Sequence, residues 1–305
     1  MDDVTRAVEI LRNGGVIALP TETVYGLAAD VANPAAIARI YAIKGRPADH
    51  PLIVHVHALA ALEGYVLAPP PALSALAERF WPGPLTLVVR RGPRTPLSVT
   101  GGQDTVAVRI PAHPLAQAIL RQFGGALAAP SANRFGRVSP TTAQHVQADL
   151  GDAVDLIVDG GPAEVGVEST IVDLTGAVPA VLRAGAITPS ALGAVLGTPV
   201  VTRIGGTVRV SGTLASHYAP HARLELLAPD ALDARARALT DVDERVGVLV
   251  LPADAADAAR TLYATLRALD LDGYTTILAT LPPDDEAHAA VRDRLLRAAA
   301  PRGQT

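Results

Sequence analysis

Hydrophobic and polar positions along this chain follow two periods. In residues 3–13, Val4, Ala7, Val8 and Leu11 recur at helical spacing, and Gly14-Gly15 stop the run. Gly15-Val16-Ile17-Ala18-Leu19 reads as a strand ending at Pro20. Asn33-Pro34 reads as an N-cap with proline at N1, opening a helix that carries Ile37, Ile40 and Tyr41 on one face and stops near Ile43. Further strands are expected over 51–56, 85–89, 105–111, 127–129 and 155–159, and helices over 72–80 and 114–123; residues 90–104 read as a polar loop. Ser139-Pro140 is expected to open a helix bearing Val146 and Leu150, and Thr188-Pro189 to cap one reaching Leu196. Residues 169–173 and 180–183 flank a turn at Thr175-Gly176 and predict a hairpin. Hairpins mixed with crossover helices predict an α/β fold with a mixed, twisted sheet.

The pattern changes at 198–222, which lacks long apolar runs and carries S-G-T-L-A-S-H-Y-A-P at 211–220; it reads as an ordered linker. Beyond it, strands at 224–227, 247–251 and 275–279 alternate with helices at 231–240, 256–269 and 286–299, predicting a small, parallel, Rossmann-like α/β domain. The expected organisation is a first domain over 1–200, a linker over 201–223 and a second domain over 224–305.

Composition narrows the chemistry. Hydrophobic residues make up 49% and aromatics only 3%, so the core must be built from Ala, Val, Leu and Ile. Without cysteine there are no disulfides, no thiolate catalysis and no thiolate metal site. A net charge of -4 supplies no global field for nucleic acid. Met1-Asp2-Asp3 makes a poor signal peptide, and no apolar run is long enough to span a bilayer; a cytoplasmic location is the expectation.

Polar clusters fall near predicted strand ends: Thr21, Thr23 and Tyr25; Lys44 and Arg46; His55; Arg109; Ser131 and Asn133; Ser169 and Arg183. Loops after strands form the binding crevice of α/β folds. Arg109, in a strand of Val, Ala and Ile, needs an anionic partner, either a ligand or an internal carboxylate such as Glu22 or Glu168. Ser131 and Asn133 would hold a phosphate or an adenine edge, or simply close a turn. There is no G-x-S-x-G elbow and no P-loop, and the pairs His55/His57 and His217/His221 do not form a zinc pattern. The residues by themselves point to an anionic, phosphorylated ligand.

L-P-T-E-T-V-Y-G-L, Y-A-I-K-G-R-P, T-V-A-V-R-I-P-A-H-P, A-P-S-A-N and E-S-T-I-V-D, in this order, resemble the threonylcarbamoyl-AMP synthase family, and the linker and second domain resemble its long form. The resemblance implies synthesis of threonylcarbamoyl-AMP from L-threonine, bicarbonate or CO2, and ATP carried with Mg2+, releasing pyrophosphate. It implies a downstream transferase complex that modifies N6 of adenosine 37 in tRNA, with direct tRNA contact compatible but not required. Carried over onto matching positions, it makes Lys44 and Arg46 the catalytic cations. Lys44, Arg46, Ser131, Asn133, Ser139, Arg183, His217 and Tyr218 become ATP or AMP contacts. Thr23, Tyr25, His55, Arg109 and Ser169 become threonine contacts, and no protein-held metal is expected. The chain departs from the family before His217, where Ser211-Gly212-Thr213-Leu214-Ala215-Ser216 replaces a proline-glycine followed by an aromatic or basic residue. The competing readings are an RNA-binding module using Arg79, Arg90, Arg91 and Arg94, and a carbamoyl-transfer enzyme of hydrogenase maturation.

Overall fold

A computed structural model describes residues 2–203 and 205–301. Ten strands form one mixed sheet: β1 (Ile17–Leu19), β2 (Gly26–Asp30), β3 (Ile53–His55), β4 (Leu85–Arg90), β5 (Thr105–Arg109), β6 (Leu127–Ala128), β7 (Leu156–Ile157), β8 (Thr170–Asp173), β9 (Ala180–Arg183) and β10 (Val201–Thr202). Their order is β10-β9-β8-β4-β5-β3-β6-β2-β1-β7. The hairpin expected at Thr175-Gly176 is the antiparallel β8–β9 pair. A second sheet, β11 (Arg223–Leu227), β12 (Val246–Leu249) and β13 (Thr276–Thr280), is parallel in the order β11-β13-β12. β10 joins the large sheet although the linker was expected to begin at residue 201.

Helices α1 (Asp3–Arg12), α2 (Pro34–Lys44), α3 (Pro71–Phe80), α4 (Leu97–Thr100), α5 (Pro114–Phe123), α6 (Ala143–Leu150) and α7 (Pro189–Leu196) accompany the large sheet. Helices α8 (Leu232–Thr240), α9 (Ala255–Leu271) and α10 (Ala289–Ala299) accompany the small one. No helix among the described residues is long and apolar enough to cross a membrane. Short α4 interrupts the expected loop. Ser139-Pro140 does not open α6. The cap is Thr142, whose hydroxyl accepts from the His145 amide, because residues 139–141 are spent on tertiary bonds: the Tyr25 and Ala163 amides donate to the Pro140 and Thr141 carbonyls.

The aliphatic core is laid out around the large sheet. One face packs against α2, α3, α6 and α7 through Ile37, Ile40, Leu76, Val146 and Leu192. The other face is shared. Under β1, β2 and β6 it packs on α1 and α5 through Val8, Leu11, Ile119 and Leu120. Farther along, Ile53, Val88, Ala107 and Ile171 pack on Val210 of the linker. A fourth cluster joins Val24, Val138, Val167 and Tyr218 to Leu262, Tyr263, Val291 and Leu295, so the small α/β unit is docked through apolar burial.

Candidate functional site

Between the α1–α5 cover and the linker, part of the sheet face is left to a pocket. Ile53 and His55 point into it from the same face of β3, and Arg109 is the β5 register partner of His55. Ser169 lies just before β8, not after a strand. Ser169 thus departs from the expected placement at or just past a strand end, and the clusters converge over a face of the mixed sheet.

The β1–β2 turn supplies one wall. The Thr21 hydroxyl donates to the Val24 carbonyl at 2.6 Å and lies 2.9 Å from the Thr23 hydroxyl. Arg109 donates to Thr23 Oγ1 at 2.8 Å, to Glu22 Oε1 at 2.7 Å and to the Gly83 carbonyl at 3.2 Å. The internal ion pair foreseen for Arg109 is thus made with Glu22. Burial opposes ionisation of Glu22, yet the Arg109 guanidinium and two backbone N–H groups hold its pKa below the usual carboxylate value. Arginine has five N–H donors, so two remain for a ligand.

His55 Nδ1 lies 3.0 Å from the Ile53 carbonyl, which assigns the proton to Nδ1 and leaves Nε2 as an acceptor. Burial, with the Arg109 charge beside it, pushes His55 down to about 3; burial likewise pushes His217 down to about 3. Both imidazoles are neutral in the folded chain at neutral pH, whereas an unfolded chain protonates them near 6.5. Because the folded values are depressed, this stability is complete above about 6.5 and is lost as pH falls toward 3. Melting temperatures should decline across that window, and His55→Gln should start lower and decline less steeply; a wild-type slope in the variant would remove His55 as a cause.

The second wall is cationic. The left-handed Gly45, with φ of 61°, ends α2 and turns Arg46 toward the linker. Arg46 donates to the Pro51 carbonyl at 2.9 Å and to Ser211 Oγ at 3.0 Å, and lies 5.5 Å from the centre of the Phe135 ring. Burial lowers its pKa to about 10, so it remains charged. Arg183 donates to the Ser169 carbonyl and hydroxyl and, at 3.1 Å, to the Ser211 carbonyl. Buried Thr86 lies 2.7 Å from the Ser169 hydroxyl. His217 and Tyr218 stand at the roof with ring centres 4.1 Å apart. Gly212 must be glycine: its φ is 84°, and a Cβ there would run into the Tyr218 hydroxyl.

Thr23, Arg46, His55, Arg109, Ser131, Ser169, Arg183, His217 and Tyr218 are brought together on the pocket wall. Four expected residues lie behind it. Lys44 is buried, donating to the Ser131 and Asn133 carbonyls at 2.5 and 2.7 Å, and burial pushes its pKa far down. Asn133 donates to the Arg134 and Arg137 carbonyls and keeps a buried, unpartnered Oδ1. Ser139 donates to Glu168. Tyr25, expected to line the cavity, is instead in the core, its hydroxyl donating to the Gly161 carbonyl at 2.7 Å; an aromatic ring at that strand start is worth more as packing. Thr21, which the sequence reading grouped with Thr23, lines the pocket too, and Glu168, Ser211 and Gly212 line it without having been assigned to it. Glu168 stands in the E-S-T-I-V-D motif beside Ser169, which was the available signal.

A family model described as "Telomere recombination" matches residues 9–185, and one described as "Threonylcarbamoyl-AMP synthase, C-terminal domain" matches residues 187–300. A Bacillus subtilis protein named threonylcarbamoyl-AMP synthase is 39% identical, covering 97% of this chain and 92% of its own. A Pyrococcus abyssi protein of the same name is 37% identical, covering 96% and 92%. The crystal structure of P. abyssi Sua5 complexed with L-threonine superposes with a TM-score of 0.91 at 36% identity, covering 97% of this chain and 94% of that one.

Proposed function

The chain belongs to the threonylcarbamoyl-AMP synthase family, and from that premise we propose that it joins L-threonine, bicarbonate or CO2, and ATP into threonylcarbamoyl-AMP with release of pyrophosphate. The observation that carries this reading is one pocket holding Arg46, Arg109 and Arg183 together with the Thr23 and Ser169 hydroxyls under an aromatic roof.

The threonine amine adds to CO2, forming an N–C bond and losing a proton. One oxygen of the resulting carbamate attacks the α-phosphorus while the bond to the pyrophosphate oxygen breaks. Charge grows on the phosphoryl oxygens, so the need is for positioning and fixed positive charge rather than a covalent nucleophile. Arg46 and Arg183 supply the charge. Lys44 acts from behind by holding the 131–133 loop in shape. The spare Arg109 donors suit the threonine carboxylate, and His55 Nε2 offers threonine an acceptor. The linker, closed by Arg46 and Arg183 on Ser211, keeps water from the labile carbamate.

Among the described residues no group of three His, Asp or Glu side chains is placed to hold a metal ion; Glu168 on the wall is paired with Arg294, and Glu22, off the wall, with Arg109. Mg2+ in this reading arrives on the ATP phosphates. Transfer of the product onto tRNA by a separate complex, and a cytoplasmic setting, belong to the same proposal.

Pyrophosphate release by purified protein, with L-threonine and bicarbonate each supplied or omitted, tests it. Release should require both. Release without threonine would point to another acceptor, and none under any condition would favour an RNA-binding role.

A further inference from the structure

Glu168 is only 6% exposed and joins three parts of the chain. Its Oε1 accepts from the Ser139 hydroxyl at 2.5 Å; its Oε2 accepts from the Tyr263 hydroxyl of α9 and from Arg294 Nε of α10, both at 2.9 Å. Arg294, 1% exposed, also donates to the Ala184 carbonyl at 3.0 Å and to Asp293 at 2.7 Å. Its guanidinium carbon lies 5.0 Å from the centre of the Tyr218 ring, and Tyr218 stacks on Tyr263 with centres 5.9 Å apart. Tyr218 holds a φ of 60°, a conformation that residues with side chains adopt only when their surroundings impose it.

The apolar cluster around Leu262, Val291 and Leu295, to which the Tyr218 and Tyr263 rings belong, docks the small α/β unit, and the Glu168–Arg294 pair is added to it. A buried ion pair contributes little net stability over an apolar pair of the same shape; what it adds is a fixed geometry. We propose that Arg294 is a positioning residue for Tyr218: the second domain, through Arg294 and Glu168, sets the linker's roof over the nucleotide end of the pocket. This rests on the reading that the linker retains the adenylate.

The full-length chain is tested by a double-mutant cycle of Arg294→Lys and Tyr218→Ala. Lysine keeps a cation for Glu168 but lacks the planar fork and its stacking. One readout is the rate at which threonylcarbamoyl-AMP made in a single turnover leaves the protein; the other is tryptic cleavage at exposed Arg209 in the linker. Arg294→Lys should speed product release about tenfold, part of the roughly thirtyfold that one desolvated cation–π contact is worth, and cleavage at Arg209 should quicken selectively. With Tyr218→Ala present, Arg294→Lys should add nothing further. Factors that multiply in the double variant would overturn the proposal, as would unchanged release from Arg294→Lys. If Arg294→Lys does not fold, Glu168→Gln/Arg294→Met removes both charges together and enters the cycle in its place. If wild-type protein makes no adenylate, the functional reading falls, and cleavage at Arg209 judges Arg294 alone: selective acceleration supports its role, and equal rates overturn it.

Discussion

Arg46→Ala should lower threonine- and bicarbonate-dependent pyrophosphate release by about 10²–10³-fold, the cost of removing one preorganised charge from a developing oxyanion. Its melting temperature should stay within a few degrees of wild type. The guanidinium donates to the His50 and Pro51 carbonyls and to one linker hydroxyl, contacts that hold a loop and not the sheet. Lys44→Ala should lose activity to a similar extent but melt earlier as well. Lys44 is the bolt between the end of α2 and the 131–133 loop, and its removal strands two inward-pointing carbonyls. The pair of variants separates charge at the phosphates from shape behind them. Steady-state pyrophosphate release and thermal melts on both proteins give the comparison. Wild-type turnover in Arg46→Ala would remove Arg46 from the chemistry, and unchanged melting in Lys44→Ala would contradict its bracing role.

Arg109→Ala should destabilise the fold by about 3–5 kcal/mol, because it leaves Glu22 buried without its countercharge. Glu22→Gln/Arg109→Met should recover much of that loss, since the penalty is the uncompensated charge and not the missing attraction. Function should separate differently. Arg109→Lys, which keeps a cation but loses the fork that bonds Thr23 and Glu22 together, should raise the KM for threonine more than the KM for ATP. Denaturant unfolding of the single and double variants and paired KM determinations decide both points. Equal rises in the two KM values would make Arg109 a purely structural residue, and a double variant no more stable than Arg109→Ala would mean that the pair contributes more than charge balance.

Much of the molecule was legible in local chemistry. Asn33-Pro34 starts α2 because an amide side chain can take the first orphan N–H groups and proline suits the first turn, wherever that segment lies. The alternation of strands and helices after residue 223 dictated a small parallel sheet by the same local logic. The motifs carrying Thr23, Arg46, Arg109, Ser131 and Ser169 named residues that do share one pocket, and His55 and Arg183, singled out beside strands outside those motifs, line it as well.

What local chemistry could not decide is which way a residue faces and what a distant segment brings to it. Tyr25 sits two residues from Thr23 in the same motif, yet one ring turns to the 159–161 turn and the other side chain to the pocket. Ser139 looked like a helix cap because Ser-Pro is a good local cap; the Glu168 carboxylate, 29 residues away, claims its hydroxyl instead. Lys44 and Arg46, two apart in sequence, divide into a brace and a pocket wall only because Gly45 reverses the chain between them. Of the two carboxylates that spacing offered to Arg109, Glu22 takes it, while Glu168 is occupied by Arg294 from the second domain. Residue type and spacing set which local bonds are available; long-range pairing of buried charges, each costly to leave alone, chooses among them.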